Sequence, residues 1–356
     1  MEFKQDWDKA QERILAWWNR ELVDRCVVQV AAPRDGATGD QWDPFHMSRN
    51  LDNPEKIVDV WEDHCRKTFF GGEMIPNMWI NLGPGTPAAY MGCKVRIGED
   101  TVWFEPPGEL SIDDVLALEA DTTGGWWKTT MDLAELASER GRGKYFAGLA
   151  DINSVFDILC HLRGTQNLLY DLIDSPDKVK QATEKVNRLW IETYDEMYKK
   201  ITRYQQGSTN WMFVWFPEGG CDVQCDFCAM LSPEMFGEFV IPHLTQEIDH
   251  IGGSLFHLDG PDAIQHLDML LDIPGLSGIQ WVPGAGNPGT GSPKWFDMYR
   301  RIQEKGKLLL LQGMDPNDVQ GVLEGISSRG VLIGTNCESE GEARSLLKNA
   351  EKWTRD

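Results

Sequence analysis

The sequence predicts an α/β chain, a (β/α)8 TIM barrel with an N-terminal helical extension and long insertions after strands one and two. Three observations carry this. Eight short, nearly continuous apolar runs recur along the 356 residues, the pattern of parallel strands covered on both faces. Helical patterns with clear start signals separate the later runs. No linker, low-complexity run or internal repeat breaks the chain, so residues 1–356 read as one domain.

The opening stretch MEFKQDWDKAQERILAWWNREL is charged throughout and lacks an apolar core of signal-peptide length. It reads as a helical extension over residues 1–25. The first strand is CVVQVAAP (26–33), followed by an insertion over 34–75. The second is PNMWINLGPG (76–85), followed by an insertion over 86–143 that holds a strand pair around CKVRIGEDTVWFEPPG. The third is KYFAGLADI (144–152) and the fourth NWMFVWFPEG (210–219). Then come SLFHLDG (254–260), LSGIQWVPG (276–284), KLLLLQGM (307–314) and GVLIGTN (330–336). Ser175-Pro176, Ser232-Pro233, Ser292-Pro293 and Asp315-Pro316 each set a capping side chain before a proline suited to a first helical turn. Ser339 and Glu342 have capping-box spacing. Val179, Ala182, Val186, Leu189, Thr193, Met197 and Ile201 form one amphipathic stripe, read as core packing.

There are 34 Lys+Arg against 56 Asp+Glu, a net charge of −22. Such a surface repels nucleic acid and anionic membranes. No run approaches the roughly 18 apolar residues of a membrane span. The eight cysteines, in a long chain without a secretion signal, read as free thiols or ligands, and the protein as cytoplasmic.

In a (β/α)8 barrel the active site lies at the C-terminal ends of the strands. That rule selects Asn81, Asp151, Trp215, the loop GGCDVQCDFCAM, His257 with Asp259, Gln280 with Trp281, Gln312, and Cys337. The loop spaces Cys221, Cys225 and Cys228 as in radical S-adenosylmethionine enzymes. Its place after the fourth strand rather than the first argues for a loop over the barrel mouth instead. Cys225 and Asp226 are its members expected to face substrate. His257 and Asp259, two apart on one strand, point to the same side. Three readings stand for the pair: a structural hydrogen bond before Pro261, a general acid and base, or metal ligands. Cys337 could converge on His257, and a third ligand from Asp259, Glu218, Cys221 or Cys225, with Cys225 favoured, would give an open zinc site. Trp215 and Trp281 would suit an aromatic or methylated small molecule, or pack within the barrel.

The segments LYDLIDSPDKVKQATEKV, MLSPEMFGEFVIPHL, FHLDGPDAIQHL and QWVPGAGNPG resemble the uroporphyrinogen decarboxylase superfamily. The likeness covers most of residues 144–356 well and 1–143 more loosely. It implies a (β/α)8 barrel. True decarboxylases of the superfamily carry an arginine-rich motif after the first strand and an Asp ending the second. Here those places hold the single Arg34 and Asn81. Its zinc methyltransferases carry a His-x-Cys pair and a later Cys. His257 and Cys337 match, while Asp259 stands where the first Cys would be.

The resemblance therefore implies a methyltransferase or demethylase acting on a methylated, including methoxylated aromatic, small molecule. Its leaving atom would be activated by metal or acid at His257, Asp259 and Cys337. The cofactor would be zinc, with the corrinoid carried on a partner protein, and a homodimer is a further expectation. Asp226 and Gln280 join His257 and Asp259 as expected catalytic residues. Asn81, Asp151, Trp215, Trp281 and Gln312 are the expected substrate-binding ones. The alternatives are a cofactor-independent decarboxylase or lyase with Asp259 or Asp151 as acid, and a non-catalytic binding barrel.

Overall fold

The apolar runs bury both faces, so they pair side by side under a layer of helices. A computed structural model describes residues 1–37 and 42–356. Its strands are β1 (Val27–Pro33), β2 (Thr68–Gly72), β3 (Asn77–Trp79), β4 (Lys94–Ile97), β5 (Val102–Glu105), β6 (Phe146–Gly148) and β7 (Ser208–Thr209). They continue as β8 (Trp215–Phe216), β9 (Cys221–Gln224), β10 (Ser254–Asp259), β11 (Gly278–Val282), β12 (Leu308–Met314) and β13 (Val331–Asn336). One sheet has the order β2-β1-β13-β12-β11-β10-β9. All its neighbours are parallel except β2, which runs antiparallel to β1. β3 and β6 form a second parallel pair, and β4–β5 and β7–β8 are hairpins. The β4–β5 hairpin is the strand pair expected in the second insertion. Among the described residues no ladder joins the two parallel sheets.

Side chains alternate across the main sheet with period two. Val28, Phe256, Ile279, Leu309 and Ile333 belong to the large core cluster under the helices. Val27, Leu255, Leu308, Leu310 and Leu332 form a separate inner cluster. What fills that inner side corrects the expected fourth strand. Residues 210–219 are not a strand of the sheet; β9 takes that place. Met212, Val214 and Phe216 instead pack into the inner cluster. The segment is threaded against the face of the sheet that carries this cluster. There the Phe213 carbonyl accepts from Gln29 Nε2 at 2.6 Å and the Met212 carbonyl from Gln312 Nε2 at 2.6 Å. The chain then leaves for β9 through Gly219-Gly220. A Cβ on Gly220 would lie 2.4 Å from the Gly253 carbonyl oxygen, so only glycine fits this close passage.

The N-terminal extension forms the helix Trp7–Trp18. Trp17 joins the inner cluster, and Trp18 Nε1 donates to the Trp215 carbonyl at 3.0 Å. Trp215 itself packs with Ile14, Ile75 and Phe146, at 1% exposure. It is therefore a core residue beneath the N-terminal helix, not a mouth residue.

Ser232, Ser292 and Ser339 cap their helices as expected. Ser175 makes no side-chain cap bond, and Asp315 closes a turn by accepting from Asn317 N before the helix Val319–Gly325. The stripe from Val179 to Ile201 is buried along the helix Pro176–Ile201. Among the described residues no helix is long and apolar enough to cross a membrane.

Candidate functional site

The shift of the fourth strand changes what stands beside His257. β9 pairs with β10, His257 opposite Gln224. The residue that follows the end of β9 by two is Asp226, the first of the short turn Asp226–Met230. Ligand atoms of Asp226, His257 and Asp259 all lie within 4.8 Å of one another, the one such His/Cys/Asp/Glu group of three among the described residues. His257 Nε2 is 4.0 Å from Asp226 Oδ1. The Trp211 ring meets the imidazole edge-on, with centroids 5.1 Å apart. Its Nε1 donates to Asp222 Oδ2 at 2.9 Å, and Asn210 Nδ2 donates to Asp222 Oδ1 at 2.7 Å.

Asp157 holds Asp226 in place. It lies in the first turn of the helix Val155–Arg163, capped by Ser154, whose hydroxyl donates to it at 2.6 Å. Its carboxylate accepts from the backbone N–H of Asp226 at 3.0 Å and of Phe227 at 2.9 Å. Burial raises the Asp157 pKa, and these hydrogen bonds oppose the rise.

Burial at the strand ends, and then the nearby Asp157 charge, push Asp226 up to about 6, against the opposing pull of His257. The side chain keeps 57% of its surface, so it is hemmed in by protein yet open on one side. This has a stability consequence with a definite sign. A carboxyl raised above its ordinary value of about 3.9 holds its proton longer in the folded state. Stability then falls as pH rises from about 4 to about 6, and stays lower above that. Asp226→Asn is therefore expected to stabilise the fold at pH 7 by about 0.5–1 kcal/mol, a figure discounted for solvent screening. At about pH 4 the gain should vanish. Denaturant midpoints at the two pH values check this, and an equal effect at both would refute it.

Gln280 and Gln312 also come to the site. Gln280 Oε1 hydrogen-bonds His257 Nδ1, Gln280 Nε2 donates to Gln312 Oε1 at 3.4 Å, and Gln312 Nε2 reaches the Met212 carbonyl. Asp151 is buried; Asn153 N donates to it at 2.8 Å and Gln224 Nε2 at 3.3 Å. Burial and the Asp222 charge raise its pKa well above the ordinary carboxyl value. Asn81 is buried and engaged with the Pro44 carbonyl and the Gly83 N–H.

Besides Trp215, three expected residues lie elsewhere. Trp281 alternates with inward Gln280, is fully buried, and packs on Trp295 at 5.0 Å in the helix-facing core. Cys225 is 1% exposed within the same core, its thiol raised well above the ordinary value by burial and then by Cys228. Cys337 is half-buried after β13, its thiol raised by burial and then by Glu342. Neither thiol belongs to the convergent group. Strand alternation explains the pattern: Cys221 and Val223 face the outer core, while Asp222 and Gln224 face inward.

Sequence reasoning missed Trp211, Asp157, Asp222 and Gln224. Ser154-x-x-Asp157 is a helix-start spacing that could have marked Asp157. Nothing local marked Trp211, because its run reads as a strand. Two surface hollows of about 470 and 490 Å³ lie away from these residues. One is lined by Trp127 and Arg188, the other by Arg20 and Arg300. Neither contains the convergent donors, so the chemistry, rather than hollow size, locates the site.

No family model matches the sequence, and no curated protein matches it. Among solved structures, the chain is similar to a methyltransferase from Methanosarcina mazei. The TM-score is 0.58 at 12% identity, covering 96% of this chain and 98% of that one. At that identity the likeness establishes a shared fold.

Proposed function

We propose that this chain is a methyltransferase. It takes a methyl group from a methylated small molecule, with methoxylated aromatics among the candidates, and passes it to a corrinoid carried by a partner protein. The observation that carries the reading is the convergence of Asp226, His257 and Asp259 at the C-terminal ends of β9 and β10. The fold shared with a methyltransferase supports it. In this reading the two parallel sheets belong to one (β/α)8 barrel. Leu149 N donates to the Thr209 carbonyl at 2.8 Å, and Asn77 Nδ2 to the Asn210 carbonyl at 2.7 Å, tying the short sheet to the threaded segment.

One imidazole and two carboxylates suit zinc or another divalent ion of similar preference. Ligand atoms about 2.0–2.2 Å from such an ion lie roughly 3–4.3 Å apart. The 4.0 Å between His257 and Asp226 falls in that range, and exposed Asp259 is free to turn inward. The fit is to an oxygen-rich set, rather than to the thiolates of Cys225 and Cys337. A bound ion would polarise the oxygen or nitrogen that loses the methyl group. Where no ion engages it, Asp226, its carboxyl pushed up to about 6 by burial, is placed to exchange a proton with that leaving atom. Trp211 offers an aromatic wall beside it.

The test is anaerobic purification of the full chain, elemental analysis, and methyl transfer to cob(I)alamin from a panel of methoxylated arenes and methylated amines. About one divalent ion per chain is expected, as for a single three-residue site. Transfer should be lost on chelation and restored by zinc. Ion-free protein with no transfer from any panel member would overturn the reading. A second reading, a cofactor-independent lyase, is favoured by one observation, the buried Asp151, whose carboxyl burial and the Asp222 charge push well above its ordinary value. It requires activity that survives chelation.

A further inference from the structure

The hydrogen-bond chain behind His257 has a direction, and one backbone atom sets it. The Met212 carbonyl oxygen accepts only. Gln312 must turn its NH2 toward that oxygen, and it does so at 2.6 Å. Gln312 Oε1 is then left to face Gln280 Nε2, the weak link of the chain at 3.4 Å. Gln280 therefore presents Oε1 to His257 Nδ1. An amide oxygen has no proton to give, so Nδ1 must carry one. An amide at either position would fit equally well flipped; the carbonyl removes that ambiguity.

We propose that the Met212 carbonyl, acting through Gln312 and Gln280, holds His257 as the Nδ1–H tautomer. The Nε2 lone pair is thereby presented to Asp226 and Asp259, as a base or as a metal ligand. Gln312 and the threaded segment 211–216 are positioning elements of the site. The backbone of that segment supports the assignment. Phe213 sits at φ 56°, in the left-handed region, which is strained for a residue with a Cβ. Strain of this kind persists where surrounding structure over-determines it. Around Phe213 the carbonyls of Met212 and Phe213 are sent to different strands, to Gln312 on β12 and Gln29 on β1. The same segment sets the Trp211 ring against the imidazole.

The tautomer stands on these hydrogen bonds alone; only its use in methyl transfer rests on the function proposed above. The test is two-bond 15N–1H correlation NMR of the full chain, labelled at histidine and dialysed against a chelator. It is run at about pH 8.5, above the ordinary imidazole value of about 6.5. His257→Asn identifies the resonance. The wild type is expected to show only the Nδ1–H form, and Gln280→Glu, which keeps an acceptor, to retain it. Gln280→Leu and Gln312→Leu should each bring up the Nε2–H form. An Nε2–H wild type, or leucine variants whose tautomer matches the wild type, would overturn the proposal. Zinc titration separates the two readings. Gln312→Leu should weaken binding about 10–100-fold, as loss of an outer partner of a ligating histidine does. A chain that keeps the Nδ1–H tautomer but binds no zinc sustains this proposal and refutes the metal-assisted function.

Discussion

Replacing His257 with alanine is expected to abolish stoichiometric ion binding and lower methyl-transfer turnover by about 10²–10⁴, the range for loss of a positioned acid–base group. The size of the effect follows from geometry. His257 is the one member of the group whose ring is fixed on both sides, by Gln280 at Nδ1 and by Trp211 at its face. Asp259 is exposed and Asp226 is open on one side, so water can partly replace either. Asp259→Ala and Asp226→Ala should therefore cost less than His257→Ala. Cys337→Ser is the discriminating control. The resemblance implied a thiolate ligand at that position, whereas the structure gathers two carboxylates and leaves Cys337 outside. The serine variant should keep the wild-type ion content and at least about half the turnover, as expected of a substitution away from the reacting atoms. Elemental analysis beside zinc titration decides. Loss of the ion in Cys337→Ser, with retention in His257→Ala, would restore the thiolate site and sink the carboxylate one.

The reasons for success and failure in the sequence are visible in particular residues. Strands β10 to β13 were legible because they are buried on both faces, and nothing competes with a continuous apolar run in that setting. The run at 210–219 has the same composition but a different fate. Burial against the inner face of a sheet asks for the same residue types as burial within one. Only the pairing partners distinguish the two, and these lie 100 residues away at Gln312 and 184 away at Gln29. The one-strand error then propagated. A fourth strand ending at 219 would put Trp215 at the strand end and turn Cys225 toward the site. With β9 in that place, period-two alternation turns Cys221 and Val223 outward and brings Asp222, Gln224 and Asp226 to the site. His257 and Asp259 lie at the end of β10 where their strand predicts them, and Gln280 stands beside His257 because the two are partners in the register of β10 and β11. Trp281, one residue further, necessarily points the other way.

Glu73→Ala is expected to destabilise the fold by about 3–5 kcal/mol, the cost of stripping one partner from a buried ion pair. Glu73 follows β2 and is fully buried. It accepts from Arg25 twice, at 2.7 and 2.8 Å, from Arg13 at 3.3 Å and from the backbone N–H of Val28 at 2.9 Å. The consequences for the two arginines differ. Arg13 retains Asp24, with hydrogen bonds to both its carboxylate oxygens, and so keeps a counter-charge. Arg25 is 4% exposed, and its other partner is only the Cys26 carbonyl at 2.7 Å. Nearly all the penalty therefore comes from one uncompensated guanidinium. Converting Arg25 to methionine in the Glu73→Ala background should recover most of the loss, because an apolar pair carries no desolvation debt. Urea unfolding at constant slope measures both. A Glu73→Ala variant within about 1 kcal/mol of wild type would show the pair to be hydrated. The variant also separates stability from chemistry. Glu73 binds near the N-terminal end of β1, at Val28, whereas the carboxylate–imidazole group lies at the C-terminal ends of β9 and β10. Zinc affinity measured well below the lowered melting temperature should therefore match wild type, and a variant that loses both would mean that the two ends of the sheet unfold as one unit even under native conditions.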